Sequence, residues 1–335
     1  YEKARADLAK ASEFRPEDAV LFEFLSCACD ELGDEVGRDA AIERLRALGK
    51  VPAYLLQLRG EKRLKAGNRD GAEADLRAAA ALDDPFAAYL LQANGMSLET
   101  GEELAAFGLD REKRNLNPQA VELYREAIAK GFATPERDVA VRARLAYNIG
   151  ARGNDWAQAA LVTTALVEAH PERADAWMHH ATVDPQTASY HRAYELDPPT
   201  SAAKYARHLA VAGRTEEALA ICARHLTERP YDGALRAAQG IALHALGRLD
   251  EAKAAWRDAA RLGDRSATKL RVDAFGSETG HDSFDLASEC MNRRDLSGAS
   301  RFYAGGRALA QGDCRGRRRG VSVPREEPLQ PRIRQ

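Results

Sequence analysis

Gly233-Ala-Leu-Arg-Ala-Ala-Gln-Gly240-Ile-Ala-Leu-His-Ala-Leu-Gly247-Arg-Leu-Asp250-Glu-Ala252-Lys-Ala-Ala-Trp256-Arg-Asp-Ala259-Ala-Arg-Leu-Gly-Asp264 reads as two helices joined by a tight turn. Small Gly240 lets the first helix lie close against its partner. Gly247 ends the first helix in the left-handed conformation that only glycine adopts cheaply. Leu249, Ala252, Trp256 and Ala259 recur at helical spacing and make one apolar stripe on the second helix. Asp264 closes the unit before the next helix begins. Counted from Gly233, the residues Gly240, Leu243, Gly247, Ala252, Trp256 and Ala259 fall at positions 8, 11, 15, 20, 24 and 27.

The same spacing recurs elsewhere. Gly60, Gly67, Ala72, Leu76 and Ala79 keep it before Pro85, and Gly213, Ala218, Cys222 and Pro230 keep it after Pro198. Ala287, Ala299 and Tyr303 repeat part of it near the end. Trp177, Tyr190, Ala193, Leu196, Asp197 and Pro198 form a shortened version. Prolines 16, 52, 85, 118, 135, 171, 198 and 230 are separated by 36, 33, 33, 17, 36, 27 and 32 residues. Most of these steps equal one helix–turn–helix unit; the step of 17 fits a single helix, which shifts the pairing of later helices. Such a period marks a repeat array, in which one helical pair cannot bury its apolar face alone and stacks on its neighbours.

The pattern resembles the tetratricopeptide repeat (TPR) family over roughly residues 1–310. The segment Ala120-Val121-Glu122-Leu123-Tyr124-Arg125-Glu126-Ala127-Ile128-Ala129-Lys130-Gly131 is similar to the related Sel1-type repeat, placing a Sel1-like stretch near 119–133. The resemblance implies an all-α fold, a right-handed α-solenoid of about eight stacked antiparallel helix pairs. Irregular breaks are expected near 95–118, which carries Gly95, Gly101 and Gly108, and near 265–283, which carries Gly276 and Gly280. Two regions are expected: a solenoid over 1–310 and a disordered Arg/Pro-rich tail over 311–335. Tyr1 to Pro16 read as the second helix of an earlier unit, so the chain reads as a piece of a longer array that starts mid-repeat.

Composition agrees with this reading and removes others. The 335 residues include 65 alanines, and aromatics make up only 7%, which favours close-packed helices over sheets. With 49 Lys+Arg against 51 Asp+Glu, the net charge of −2 provides no chain-wide nucleic-acid surface, and no nucleic-acid partner is expected. That total hides a split. Residues 315–335 hold seven Arg and two Glu, +5, which leaves −7 for residues 1–314. No apolar run is long enough for a membrane span, and five cysteines form no disulfide framework. Arginine outnumbers lysine 39 to 10, a balance that with the alanine content is typical of a high-GC bacterium. It leaves the compartment, cytoplasmic or periplasmic, open.

No catalytic constellation stands out. His179 and His180 are adjacent and point about 100° apart on a helix, so they make no two-ligand face. Cys222 and His225 share a face, but Cys222 occupies an inward packing position. Cys27 and Cys29 lie on different sides of their helix. Carboxylates such as Glu216, Glu217, Asp250 and Glu251 stand at helix starts, where they complement the helix dipole. No P-loop, dinucleotide, nucleophile-elbow or zinc-protease motif is found. The expectation is a non-catalytic chain with no metal and no cofactor.

The TPR resemblance nominates the first helix of each pair as the lining of a concave groove for a protein or peptide partner. The residues it implies are Arg144, Asn148, Met178, Thr182, Arg207, Ile241 and His244, with Gln57 and Glu61 from the unit at 53. Arg144 and Asn148, four apart, resemble part of the pair with which some members clamp a peptide carboxylate; the following units lack the further Lys and Arg. The function expected is a protein–protein interaction scaffold binding a peptide or helix. The alternative is the repeat region of a larger bacterial envelope protein or glycosyltransferase, serving polysaccharide export or phage adsorption, whose active or membrane part lies outside these residues.

Overall fold

The computed structural model describes residues 1–275. The described residues contain helices and turns and no strand, so the all-α expectation holds. They divide into two compact units, Tyr1–Leu196 and one that begins at Asp197.

In the first unit, α1 spans Glu2–Phe14, α2 Ala19–Glu31, α3 Glu35–Ala47, α4 Ala53–Lys65, α5 Arg69–Ala81 and α6 Pro85–Ala93. Then come α7 at Gly101–Lys113, α8 at Asn117–Lys130, α9 at Pro135–Tyr147, α10 at Trp156–Ala169, α11 at Ala174–Val183 and α12 at Thr187–Leu196. A π-helical segment, Asn148–Arg152, extends α9. In the second unit, α13 spans Pro198–Val211, α14 Thr215–Glu228, α15 Gly233–Ala245, α16 Leu249–Arg261 and α17 Arg265–Phe275. Helix starts are written in the chain. Asp34, Asn68, Asp155 and Asp232 each accept a backbone N–H from the first turn that follows, at 2.9–3.0 Å.

Consecutive helices pack as antiparallel pairs, α2 with α3, α4 with α5, α7 with α8, α13 with α14 and α15 with α16. One contact organises these pairs. A small residue of the first helix meets a large one of the second, sixteen positions on. A Cβ placed on Gly60 would sit 2.9 Å from Leu76, on Gly108 2.7 Å from Tyr124, and on Gly240 2.4 Å from Trp256. Ser26 with Ile42 and Ala206 with Cys222 occupy the same two places, and all four are buried. Alanine fills the rest of the helix–helix seams: Ala72, Ala79, Ala80, Ala87 and Ala88 have no exposed surface. This packing accounts for the alanine content.

The structure differs from the expected break near 95–118. That stretch is mostly helix. Thr100 accepts the Glu103 N–H at 3.2 Å while the Glu103 carboxylate reaches back to the Thr100 N–H, a capping box that starts α7. Within it only 95–100 and the turn 114–116 lie outside helix. The α7/α8 pair is a regular unit beginning at Gly101, with Gly108, Ala120, Tyr124 and Ala127 at positions 8, 20, 24 and 27. The segment read as Sel1-like is its second helix, and the step from Pro118 to Pro135 holds one helix, as the spacing implies. The irregular element is the one before it, α6, only 9 residues long. Near 265–283 the chain stays helical through Phe275; the remainder of that expected break lies outside the described residues. So do Ala287, Ala299, Tyr303 and the tail 311–335.

At position 15 of the pairs stands a residue with positive φ: Gly247 at 75°, and in the α7/α8 pair Asn115 at 60°. Asparagine tolerates that conformation better than other residues with a side chain. Asn115→Ala is expected to cost about 1 kcal/mol, while Asn115→Gly costs nothing or stabilises. Urea unfolding of both variants checks this, and equal destabilisation by Gly and Ala would contradict it.

Candidate partner-binding surface

The first helices of the pairs carry the residues that the sequence nominates. On α9, Arg144 is exposed and donates toward the Glu112 carboxylate at 3.3 Å. Asn148, only 1% exposed, donates to the same carboxylate at 3.1 Å and to the Arg144 carbonyl at 2.9 Å. Arg144 and Asn148 thus come together, but around an internal anion at the end of α7. Tyr124 adds its hydroxyl at 2.8 Å, and the π-helical turn swings Arg152 to 3.4 Å. Burial alone would push the Glu112 carboxyl up; the hydrogen bonds of Tyr124 and Asn148 and the charge of Arg144 outweigh it and hold the group below the ordinary carboxylate range. The α7–α8–α9 junction is therefore locked by one buried carboxylate.

On α11, Met178 is buried, and Thr182 is exposed with its hydroxyl donating to the Met178 carbonyl at 2.8 Å. In the second unit, Arg207 is exposed on α13. Ile241 is half-buried against the α15/α16 core, and His244 lies against the Trp256 ring with centroids 5.6 Å apart. Arg144, Thr182, Arg207 and His244 present surface; Asn148 and Met178 face inward.

A second set of surface residues surrounds Gln57 and Glu61, the two of them that the sequence nominates. Val20, Glu23, Phe24 and Cys27 lie on one face of α2 at spacing i, i+3, i+4, i+7. Tyr54, Gln57, Leu58 and Glu61 repeat that face on α4, each 34 residues on. The two faces are joined: the Tyr54 hydroxyl donates to Glu23 at 2.7 Å. Phe86 and Tyr89 on α6 follow 32 residues later, their rings stacked at 5.8 Å. Phe24 and Leu58 remain 58% and 43% exposed. The signal was present in the sequence as apolar residues at positions 2 and 6 of successive first helices. It was obscured because a single exposed apolar side chain means little.

Behind this face lies a buried ion lattice. Asp75 on α5 holds Arg59 at 2.6 and 2.8 Å and Arg63 at 2.8 Å, while Arg59 also reaches Glu43 at 2.9 Å and Arg63 reaches Asp39 at 2.9 Å. Lys62 and Arg38 share Asp30. These links tie α2/α3 to α4/α5 and fix the offset between the two first helices.

Histidines add a pH dependence. His180 on α11 lies 3.0 Å from the Thr163 hydroxyl, and burial holds its imidazole below the ordinary value of 6.5. Burial and then the nearby Arg214 charge do the same to His208. A depressed folded value means the unfolded chain takes up protons first. The stabilisation is complete above about 6.5 and is lost as pH falls below it. The melting temperature is expected to be lower at pH about 5.5 than at about 7.5, with His180→Gln removing part of the drop. An unchanged melting temperature across this window would contradict the assignment.

Among the described residues no group of three or more His, Cys, Asp and Glu side chains is arranged to hold a metal, and no helix is long and apolar enough to cross a membrane. No family model matches the chain, and no curated protein matches it. Solved structures similar to it include a tetratricopeptide repeat protein from Parabacteroides merdae, 14% identical over 78% of this chain and 94% of that one, with a TM-score of 0.44. Yeast Tom70 is 14% identical over 92% of this chain and 82% of its own, at 0.43. A thermophilic TPR protein from Thermus thermophilus is 19% identical over 64% of this chain and 94% of its own, at 0.28. The chain's own geometry, helix pairs in which a small residue receives a large one sixteen positions later, is that of a TPR-like α-solenoid.

Proposed function

We propose that the chain is a non-catalytic protein–protein interaction scaffold that binds a peptide or helix along the first helices of its pairs. The observation that carries this reading is the repeated face of α2 and α4. Large apolar side chains stay in water at matching positions of successive repeats, where a packed core would have taken them in. Contiguous exposed apolar surface of this kind marks a recognition site. A stiff solenoid loses little conformational freedom when an extended or helical segment lies across it. Thr182 is proposed as further lining within the first unit, and Arg207, Ile241 and His244 as lining on the first helices of the second unit by itself.

Site-specific photocrosslinking tests it. A benzophenone side chain placed at Leu58 or Thr182 is expected to capture a protein partner from cell extract. The same group at Leu161, exposed on the second helix α10, is expected to capture none. Equal capture from both faces would reject the surface.

A further inference from the structure

Most carboxylates buried or half-buried in the first unit face a guanidinium or ammonium. Asp30, Asp39, Asp75, Glu103, Asp110 and Glu112 all do. Asp84 and Glu102 are held instead by backbone N–H groups and Asp184 by the Gln186 amide, and Glu23 and Glu61 also lack a cation. Both are half-buried on the shared face of α2 and α4. Glu23 accepts from the neutral Tyr54 hydroxyl, and Glu61 accepts from the neutral Gln57 amide. Among the described residues neither has a cationic partner. Lys62, one residue from Glu61, is taken by Asp30 behind the face.

We infer that this face binds a cationic segment of a partner protein, an extended or helical stretch carrying arginine or lysine between apolar residues. The inference rests on the reading of the first-helix face as the partner surface and adds the chemistry of what it takes. Glu23 and Glu61 occupy positions 5 and 9 of adjacent repeats, one turn apart along the repeated face, so they offer two anionic points on neighbouring first helices. On the same face stand Phe24, Tyr54 and Leu58. Aromatic faces attract guanidinium and ammonium groups, and the aliphatic stems of those residues bury apolar surface while their heads reach a carboxylate. A carboxylate beside apolar side chains is poorly hydrated and gains most from an incoming cation. An anionic segment would meet two uncompensated negative charges. The charge of the face therefore selects as well as attracts.

Fluorescence anisotropy with the full chain tests this. The probe is a labelled short peptide alternating arginine with leucine; its counterpart carries glutamate in place of arginine. The arginine peptide is expected to bind, more weakly as salt rises, and the glutamate peptide is expected not to. Glu23→Gln with Glu61→Gln keeps both hydrogen-bond acceptors and is expected to leave the melting temperature unchanged while weakening the arginine peptide at least about tenfold. Tyr54→Ala is expected to weaken it too, and Glu35→Gln, on α3, to change nothing. Equal binding of the two peptides, or full affinity in the double variant, overturns the inference. If the arginine peptide binds only after Arg315, Arg317, Arg318 and Arg319 are replaced by alanine, the chain's own tail is the occupant, which overturns a separate partner. Photocrosslinks that persist at Leu58 while the double variant keeps full affinity remove the cationic chemistry alone. Loss of crosslinking at Leu58 removes the surface itself.

Discussion

Trp256→Ala is expected to destabilise the protein by about 3–5 kcal/mol, read as a fall in the midpoint of urea unfolding at an unchanged slope. The tryptophan is 2% exposed, sits over the bare backbone of Gly240, and donates its indole N–H to the Ala237 carbonyl at 3.1 Å. Truncation leaves a cavity beside a glycine, which has no side chain with which to fill it, and leaves that carbonyl without its donor. Ala252, Ala255 and Ala259 around it are too short to collapse inward. The mirror-image change is as severe. Gly240→Leu drives a side chain into the indole, and no rotamer avoids an atom 2.4 Å from the first carbon. A cost below about 1 kcal/mol for Trp256→Ala would place this residue outside the core and break the register of the unit.

Asp75→Ala is expected to cost a similar amount, about 3–5 kcal/mol, for a different reason. Asp75 and Arg59 are each 1% exposed. Removing the carboxylate leaves the Arg59 guanidinium buried with Glu43 as its remaining anion and releases one partner of Arg63 and Arg46. An ion stripped of its partner in a dry seam is far worse than no ion at all. Arg59→Met combined with Asp75→Leu is therefore expected to recover most of the stability that Asp75→Ala loses. If the pair replacement is as damaging as the single change, the lattice is held by packing and not by charge. Urea unfolding of the single and paired variants separates the two.

Much of the fold was legible because glycine and alanine mark helix–helix contacts directly. Gly60, Gly67, Gly240 and Gly247 stand where close approach or a left-handed turn requires them, and two units could be placed from those positions. The unit at 101 carried the same signals at Gly108, Ala120, Tyr124 and Ala127. Its sequence signal is masked because Asn115 replaces the turn glycine, and because Pro118 starts a second helix where the proline spacing suggests a boundary between units. Single-residue punctuation misleads when another residue can adopt the same backbone conformation.

The surface was less legible than the core. Arg144 and Asn148 were nominated by position and do lie together, but their partner, Glu112, comes from a helix two elements earlier. No local spacing reveals that a polar pair is already satisfied internally. Conversely, Glu23, Phe24, Tyr54 and Leu58 gave a weak signal singly. Their meaning came from the 34-residue offset that sets α2 and α4 side by side, and from the Arg59–Asp75 lattice that holds this offset.

In the α7/α8 pair the sequence shows the repeat least plainly and the structure places a full one. A double-mutant cycle in urea unfolding between Gly108→Ala and Tyr124→Leu tests it most directly. Gly108→Ala alone forces a methyl to 2.7 Å from the Tyr124 ring and is expected to destabilise. Tyr124→Leu alone loses ring packing and the hydrogen bond to Glu112. Together they are expected to cost less than the sum, by more than about 1 kcal/mol, because the shorter side chain makes room for the methyl. Additivity within about 0.5 kcal/mol would mean that the two helices do not face each other through these residues, and would contradict the repeat on which the fold and the binding surface rest.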